Sequence, residues 1–217
     1  SNGPMLAGVD QTLQSFKHTK TADGGIVVES SYAGESTLNA KWLFAAGKPV
    51  SLEYDYTQTG TANFYGITFN IDESKIKGMR WLGDGPYRTW KNRLKGVSTS
   101  VWEKSYNNTI TGETFIYPEF KGYHANLYWA EIQAGNSSFK VYTDQSDLFL
   151  QMLKPDKPRT SFIPHVNPPF PEGNLGFLNA IAPIGNKFKQ ADSMGPQSQK
   201  NIAVGSKVSG KLWFDFN

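Results

Sequence analysis

VSLEYDYT, residues 50–57, alternates without a break. Val50, Leu52, Tyr54 and Tyr56 fall on one side of an extended chain, and Ser51, Glu53 and Asp55 on the other. Successive side chains of a β-strand point to opposite faces, so a period of two marks a strand with one face in a core and one in water. The pattern returns in Tyr65, Ile67, Phe69 and Ile71, after a turn at Thr59-Gly60. It closes the chain too: Leu212, Phe214 and Phe216 alternate with Lys211, Trp213 and Asp215. Weaker strand signals lie at 26–28, 37–44, 97–102, 148–153 and 173–182. A hairpin is predicted from 125–132 and 138–143 around Gly135-Asn136. No long amphipathic helix and no internal repeat interrupts this order. The chain therefore reads as an all-β antiparallel sandwich, one domain over residues 1–217.

Composition agrees. Aromatic residues make up 14% of the chain and are spread along all of it. That suits a packed β protein or a carbohydrate-facing one. A net charge of +3 is too small to draw the chain to nucleic acid or to a membrane surface. Without cysteine there is no disulfide or thiolate metal site. The three histidines, His18, His124 and His165, are too far apart for a local metal motif. No cofactor is expected. Six of the twelve prolines fall within Pro155–Pro171. Proline donates no ladder bond, so that segment reads as a loop pinned by Phe162, Ile163, Val166 and Phe170. The chain opens Ser1-Asn2-Gly3 without methionine, which suggests an excised fragment.

GMRWLGDGPYRTWKNRLKG, residues 78–96, reads as a glycine-punctuated loop. Trp81 and Trp90 are expected to be fixed by packing, with Arg80, Arg88 and Arg93 bonded to carbonyls or carboxylates. From Lys75 to Lys104 there are eight Lys/Arg against two Asp/Glu. An anion or nucleic-acid surface would look like this. So would an interface in which Arg and Trp are buried together, and that is the reading preferred for Trp81, Tyr87, Arg88, Trp90 and Arg93. The nineteen carboxylates offer many pairs, but no spacing singles out two for glycosidic chemistry. No catalytic residue is assigned in this chain.

Several ordered motifs resemble one family. Trp81-Leu82-Gly83-Asp84-Gly85-Pro86, followed by Asn92-Arg93-Leu94, is similar to the W-L-G-x-G-P … R-L signature of the last domain of family-two β-galactosidases. Trp102 and the segment Tyr117 to Ala125 continue the likeness, with His124 near the family's usual arginine. Pro168 to Gly173 and Met194 to Gln199 look like variants from multidomain hydrolases of gut Bacteroidetes. The resemblance covers about residues 40–217 and implies a β-supersandwich similar to galactose mutarotase.

It also implies an accessory C-terminal domain that packs on a catalytic (β/α)8 barrel, the barrel holding both catalytic glutamates. In the family a loop late in this domain lends an aromatic side chain to the sugar pocket. Here that loop falls within Gly185–Gln199. Phe188 or Met194 stands in for the family's tryptophan as a β-galactoside contact. A periplasmic or extracellular location goes with this reading. The rivals are a free-standing carbohydrate-binding module and a mutarotase-type epimerase. An epimerase needs a general acid and base, for which His124 near Glu119 is the only suggestive pair.

Overall fold

A computed structural model describes residues 3–106, 122–153, 168–203, 205 and 207–216. In chain order the strands are β1 Met5–Leu6, β2 Gln11–Lys20, β3 Ile26–Gly34, β4 Leu38–Phe44, β5 Val50–Thr57, β6 Gly60–Ala62, β7 Tyr65–Phe69 and β8 Ile76–Gly85. They continue with β9 Ser98–Ser105, β10 Trp129–Ala134, β11 Ser137–Thr143, β12 Phe149–Met152, β13 Leu175–Ala180, β14 Asn201–Ala203 and β15 Lys207–Asp215. Nine of them form one sheet in the order β2-β3-β4-β5-β15-β11-β10-β8-β9. Four form a second, β1-β7-β13-β12, and β14 pairs with β6 at the side. Every named pairing is antiparallel. The molecule is the antiparallel all-β sandwich that the alternation predicted.

The core lies between the two sheets. Leu52, Tyr54 and Tyr56 of β5 are buried while Glu53 is exposed, as their spacing requires. Leu38, Ile132, Val141, Leu212 and Phe214 join them from the large sheet. Ile67, Phe69, Leu150, Leu175 and Phe177 answer from the small one. Phe69 meets Phe177 and Phe214 edge-on, with ring centroids 6.1 and 5.6 Å apart. Each large side chain so buried contributes about 1.5–3 kcal/mol.

One local expectation is overturned. Gly78 to Gly85 is not loop but all of β8 beyond its first two residues. Its glycines serve close approach, not turning. A Cβ on Gly85 would lie 2.5 Å from Cδ1 of Trp102, and one on Gly83 would lie 3.0 Å from the Asn126 carbonyl. Glycine in a strand marks such crowding as often as a bend, and sequence alone shows neither neighbour. Strand β2 forms in a stretch, Gln11–Lys20, where the sequence shows no strand pattern. Its exposure on the edge of the sheet leaves no alternation to see. The predicted hairpin is β10–β11, and the proline-rich segment up to residue 167 lies outside the described residues.

Candidate functional site

The second half of the 78–96 stretch leaves the sheet after β8 and crosses to the loop near the chain's end. Thr89 bridges Tyr123 through its amide (2.7 Å) and its hydroxyl (3.0 Å), both donating to the Tyr123 carbonyl. Trp90 is buried in a small second core with Tyr123, Ile181, Ala182 and Ile184. Its ring meets Tyr123 at 5.7 Å and Phe170 at 5.6 Å. This fixes the backbone at Trp90 and aims the next three residues at one target.

Those three residues grip the loop at both ends. The Lys91 amide donates to the Ala182 carbonyl (3.0 Å) and its ammonium to the Gln199 carbonyl (2.7 Å). Asn92 Nδ2 donates to the Ile184 carbonyl (2.9 Å) and the Ser198 hydroxyl (2.8 Å), and its Oδ1 accepts from the Ile184 amide (3.0 Å). Arg93 donates to the Gly185 carbonyl at 3.0 Å. Side chains 91–93 thus close the neck of a loop running from 184 to 200. Inside it, 3-10 turns form at Ala191–Ser193 and Pro196–Ser198.

The loop displays one ring. Asn186 Oδ1 accepts from the amides of Phe188 and Lys189, each at 2.8 Å, making a tight turn. Phe188 at its tip is 81% exposed. Met194 is half-buried beneath, its sulfur 3.3 Å from Asn186 Nδ2. Tyr87, Leu94 and Ile202 are exposed on the segments tied together here. The arrangement offers apolar surface on a braced loop and no acid–base pair.

The remaining residues of the stretch divide. Trp81 is fully buried, its Nε1 donating to the Asp84 carbonyl at 3.1 Å. Arg80 lies 3.7 Å from both Glu103 and Glu131, on the outer side of the sheet. Arg88 is half-buried, and desolvation of its guanidinium pulls its pKa down to about 10. His124, the resemblance's substitute for arginine, is 1% exposed with its ring 4.2 Å from that of Trp81. Burial, then the charges of Lys104 and Arg88, hold it well below the usual histidine range. A histidine sealed in this way cannot reach a sugar ring, which removes the geometric basis of the epimerase reading; Glu119 lies outside the described residues. Among the described residues, no group of three or more His, Asp or Glu is placed to hold a metal.

Sequence reasoning named Trp81, Trp90 and Arg93 as interface residues and Asn92 only as part of the motif, and it gave Lys91 and Asn92 no role at the loop. Their adjacency to the tryptophan was the available signal; their partners are about 90–110 residues away and invisible in one dimension. Replacing Asn92 by alanine leaves the Ile184 amide and carbonyl without side-chain partners, which costs ~1–3 kcal/mol. Hydrogen exchange should then accelerate through 185–199 while β13 stays protected. Unchanged exchange there would show that the neck is held by other contacts.

Compared with known families, residues 5–157 match the one described as "Beta galactosidase small chain". No curated protein matches the chain.

Proposed function

This chain belongs to the β-galactosidase small-chain family, and on that premise we propose that it packs on the catalytic barrel of a β-galactosidase-like hydrolase and completes the sugar site with the loop 185–199. Residues 1–217 then act as one accessory domain, and the glutamates that cleave the bond lie in its barrel partner. The observation that supports this reading is Phe188. A phenyl ring presented to solvent on a turn braced by Lys91, Asn92 and Arg93 has no role in this chain's own core. Loops held on a rigid sheet commonly supply such contacts, and an aromatic face suits the apolar C–H face of a galactoside.

Tyr87, Leu94 and Ile202 surround the same neck and would meet the barrel. Trp81 and Trp90, by contrast, are buried within this chain and Arg88 is half-buried, and they support that surface from below.

The test is kinetic. In the enzyme that contains this domain, Phe188→Ala should lower kcat/KM on a β-galactoside by about tenfold or more, since a misplaced substrate loses up to about a hundredfold. Met194→Ala should cost less, because that side chain supports the turn from beneath. Wild-type kcat/KM in both variants would remove the loop from the pocket.

A further inference from the structure

The outer face of the large sheet bears one feature that the proposed contact through the loop 185–199 does not use. A single cross-strand row runs from Val101 on β9 through Leu82, Trp129, Tyr142 and Trp213 to Leu43 on β4, with Ser51 between the last two. The neighbours of the three aromatic residues, Ala130, Val141, Leu212 and Phe214, are all buried in the core. Alternation therefore turns Trp129, Tyr142 and Trp213 outward. All three are half-buried, neither core nor fully solvated. Water-facing strands rarely place two tryptophans and a tyrosine side by side without a use for them.

The flanks are polar on both sides. Along one edge Arg80, Glu131 and Lys140 form linked pairs, and Lys140 lies 5.9 Å from the Trp129 ring centroid. Along the other, Lys211 bonds Glu53 at 2.8 Å and lies 5.1 Å from the Trp213 ring centroid. Both rings therefore lie among the charged side chains of the sheet's outer face. Beyond Lys211 a groove of ≈ 770 Å³ continues across the sheet, lined by Asn39, Asp55, Asp144 and Gln145 among others. That volume is within the about 300–1,000 Å³ typical of ligand sites.

We propose that this strip is a carbohydrate-binding surface for a neutral oligosaccharide of β-linked hexoses, lying across the strands with its sugar rings on Trp129 and Trp213. Strands are about 4.8 Å apart, so the two tryptophans, two strands apart, span on the order of 10 Å, the reach of a short oligosaccharide. Hydroxyl groups need donors and acceptors side by side, and the Lys–Glu rows supply both. Mixed charge gives no net attraction to a polyanion. A dry protein partner would have to bury the ion pairs that border the rings, which costs more than it returns. The surface is independent of the loop at Phe188 and does not need a barrel.

The experiment uses this chain alone, with β-1,4-galactotetraose and cellotetraose as probes, followed by tryptophan fluorescence and calorimetry. At least one probe should bind saturably. Trp129→Ala and Trp213→Ala should each weaken it about tenfold. Trp129→Tyr should restore most of that loss. Thermal midpoints of the variants separate a lost platform from a loosened sheet. No saturable binding of either sugar up to about millimolar concentration overturns the proposal. So does binding that survives the double Trp129→Ala, Trp213→Ala variant, or protection of these rings by a catalytic domain and not by sugar.

Discussion

Trp81→Ala should lower the thermal midpoint of this chain by roughly 10 °C or more. The ring is 0% exposed, in the middle of β8, between Ala130 of β10 and Trp102 of β9. It also contacts His124 at 4.2 Å between ring centroids. Deleting a buried indole removes its transfer free energy and leaves a cavity, together ~3–5 kcal/mol. For a domain of this size each kcal/mol moves the midpoint by about 2–4 °C. The Asp84 carbonyl loses its indole donor as well, which adds to the cost. Differential scanning calorimetry decides: a shift of no more than a degree or two would mean that the surrounding sheet closes over the gap.

Lys104→Met should raise the midpoint at neutral pH and flatten its dependence on pH. Lys104 pairs with Met79 on the inner side of β9 and is 6% exposed. Its ammonium has no hydrogen-bond partner among the described residues and lies 5.5 Å from the Trp81 ring centroid. Burial, and then the charge of Arg88, lower its pKa from 10.5 to about 7. The unfolded chain keeps that proton up to about 10.5, so between about pH 7 and 10.5 it binds more protons than the fold does. Stability therefore rises with pH across that window, and below it the full penalty, on the order of a few kcal/mol, is present.

His124 acts in the same sense lower down. Neutral in the fold, it takes a proton in the unfolded chain below about 6.5, so acidification removes further stability. Above about pH 10 the sign reverses. Burial raises the phenols of Tyr54, Tyr56 and Tyr123, and the unfolded chain loses those protons first. Wild type should thus be most stable near pH 9–10. Methionine at 104 matches the apolar row formed by Ile132 and Met79 and has no proton to lose. Urea midpoints at pH 6, 7, 8 and 9 measure the effect. Parallel curves for wild type and variant would show that Lys104 is solvated.

Much of the fold is legible in one dimension because its strands are half-buried. Val50–Thr57 pairs along its whole length with Lys207 to Phe214, and each strand declares its inner face by alternation. The edge strand Gln11–Lys20 declares nothing, since water bathes both of its faces and any side chain suits it. The stretch 78–96 showed its tryptophans as packing residues, and the structure buries both Trp81 and Trp90. It also read as a loop throughout, because a glycine crowded by Trp102 and one freed for a turn are the same letter.

At the candidate site the motif around Trp81 and Arg93 sufficed for the family, and the family for the expectation of a loop at 185–199. What that loop rests on was decided elsewhere. Lys91, Asn92 and Arg93 find their carbonyls only when β8 and β13 have been placed in different sheets and the chain returns between them. The same holds for Trp129, Tyr142 and Trp213. Each appears in sequence as one outward residue beside buried apolar ones. Only the register of β10, β11 and β15 sets them in one row. Local alternation is a property of neighbouring residues and survives in the sequence, whereas register and closure are set by contacts between distant segments, which only the folded chain brings together.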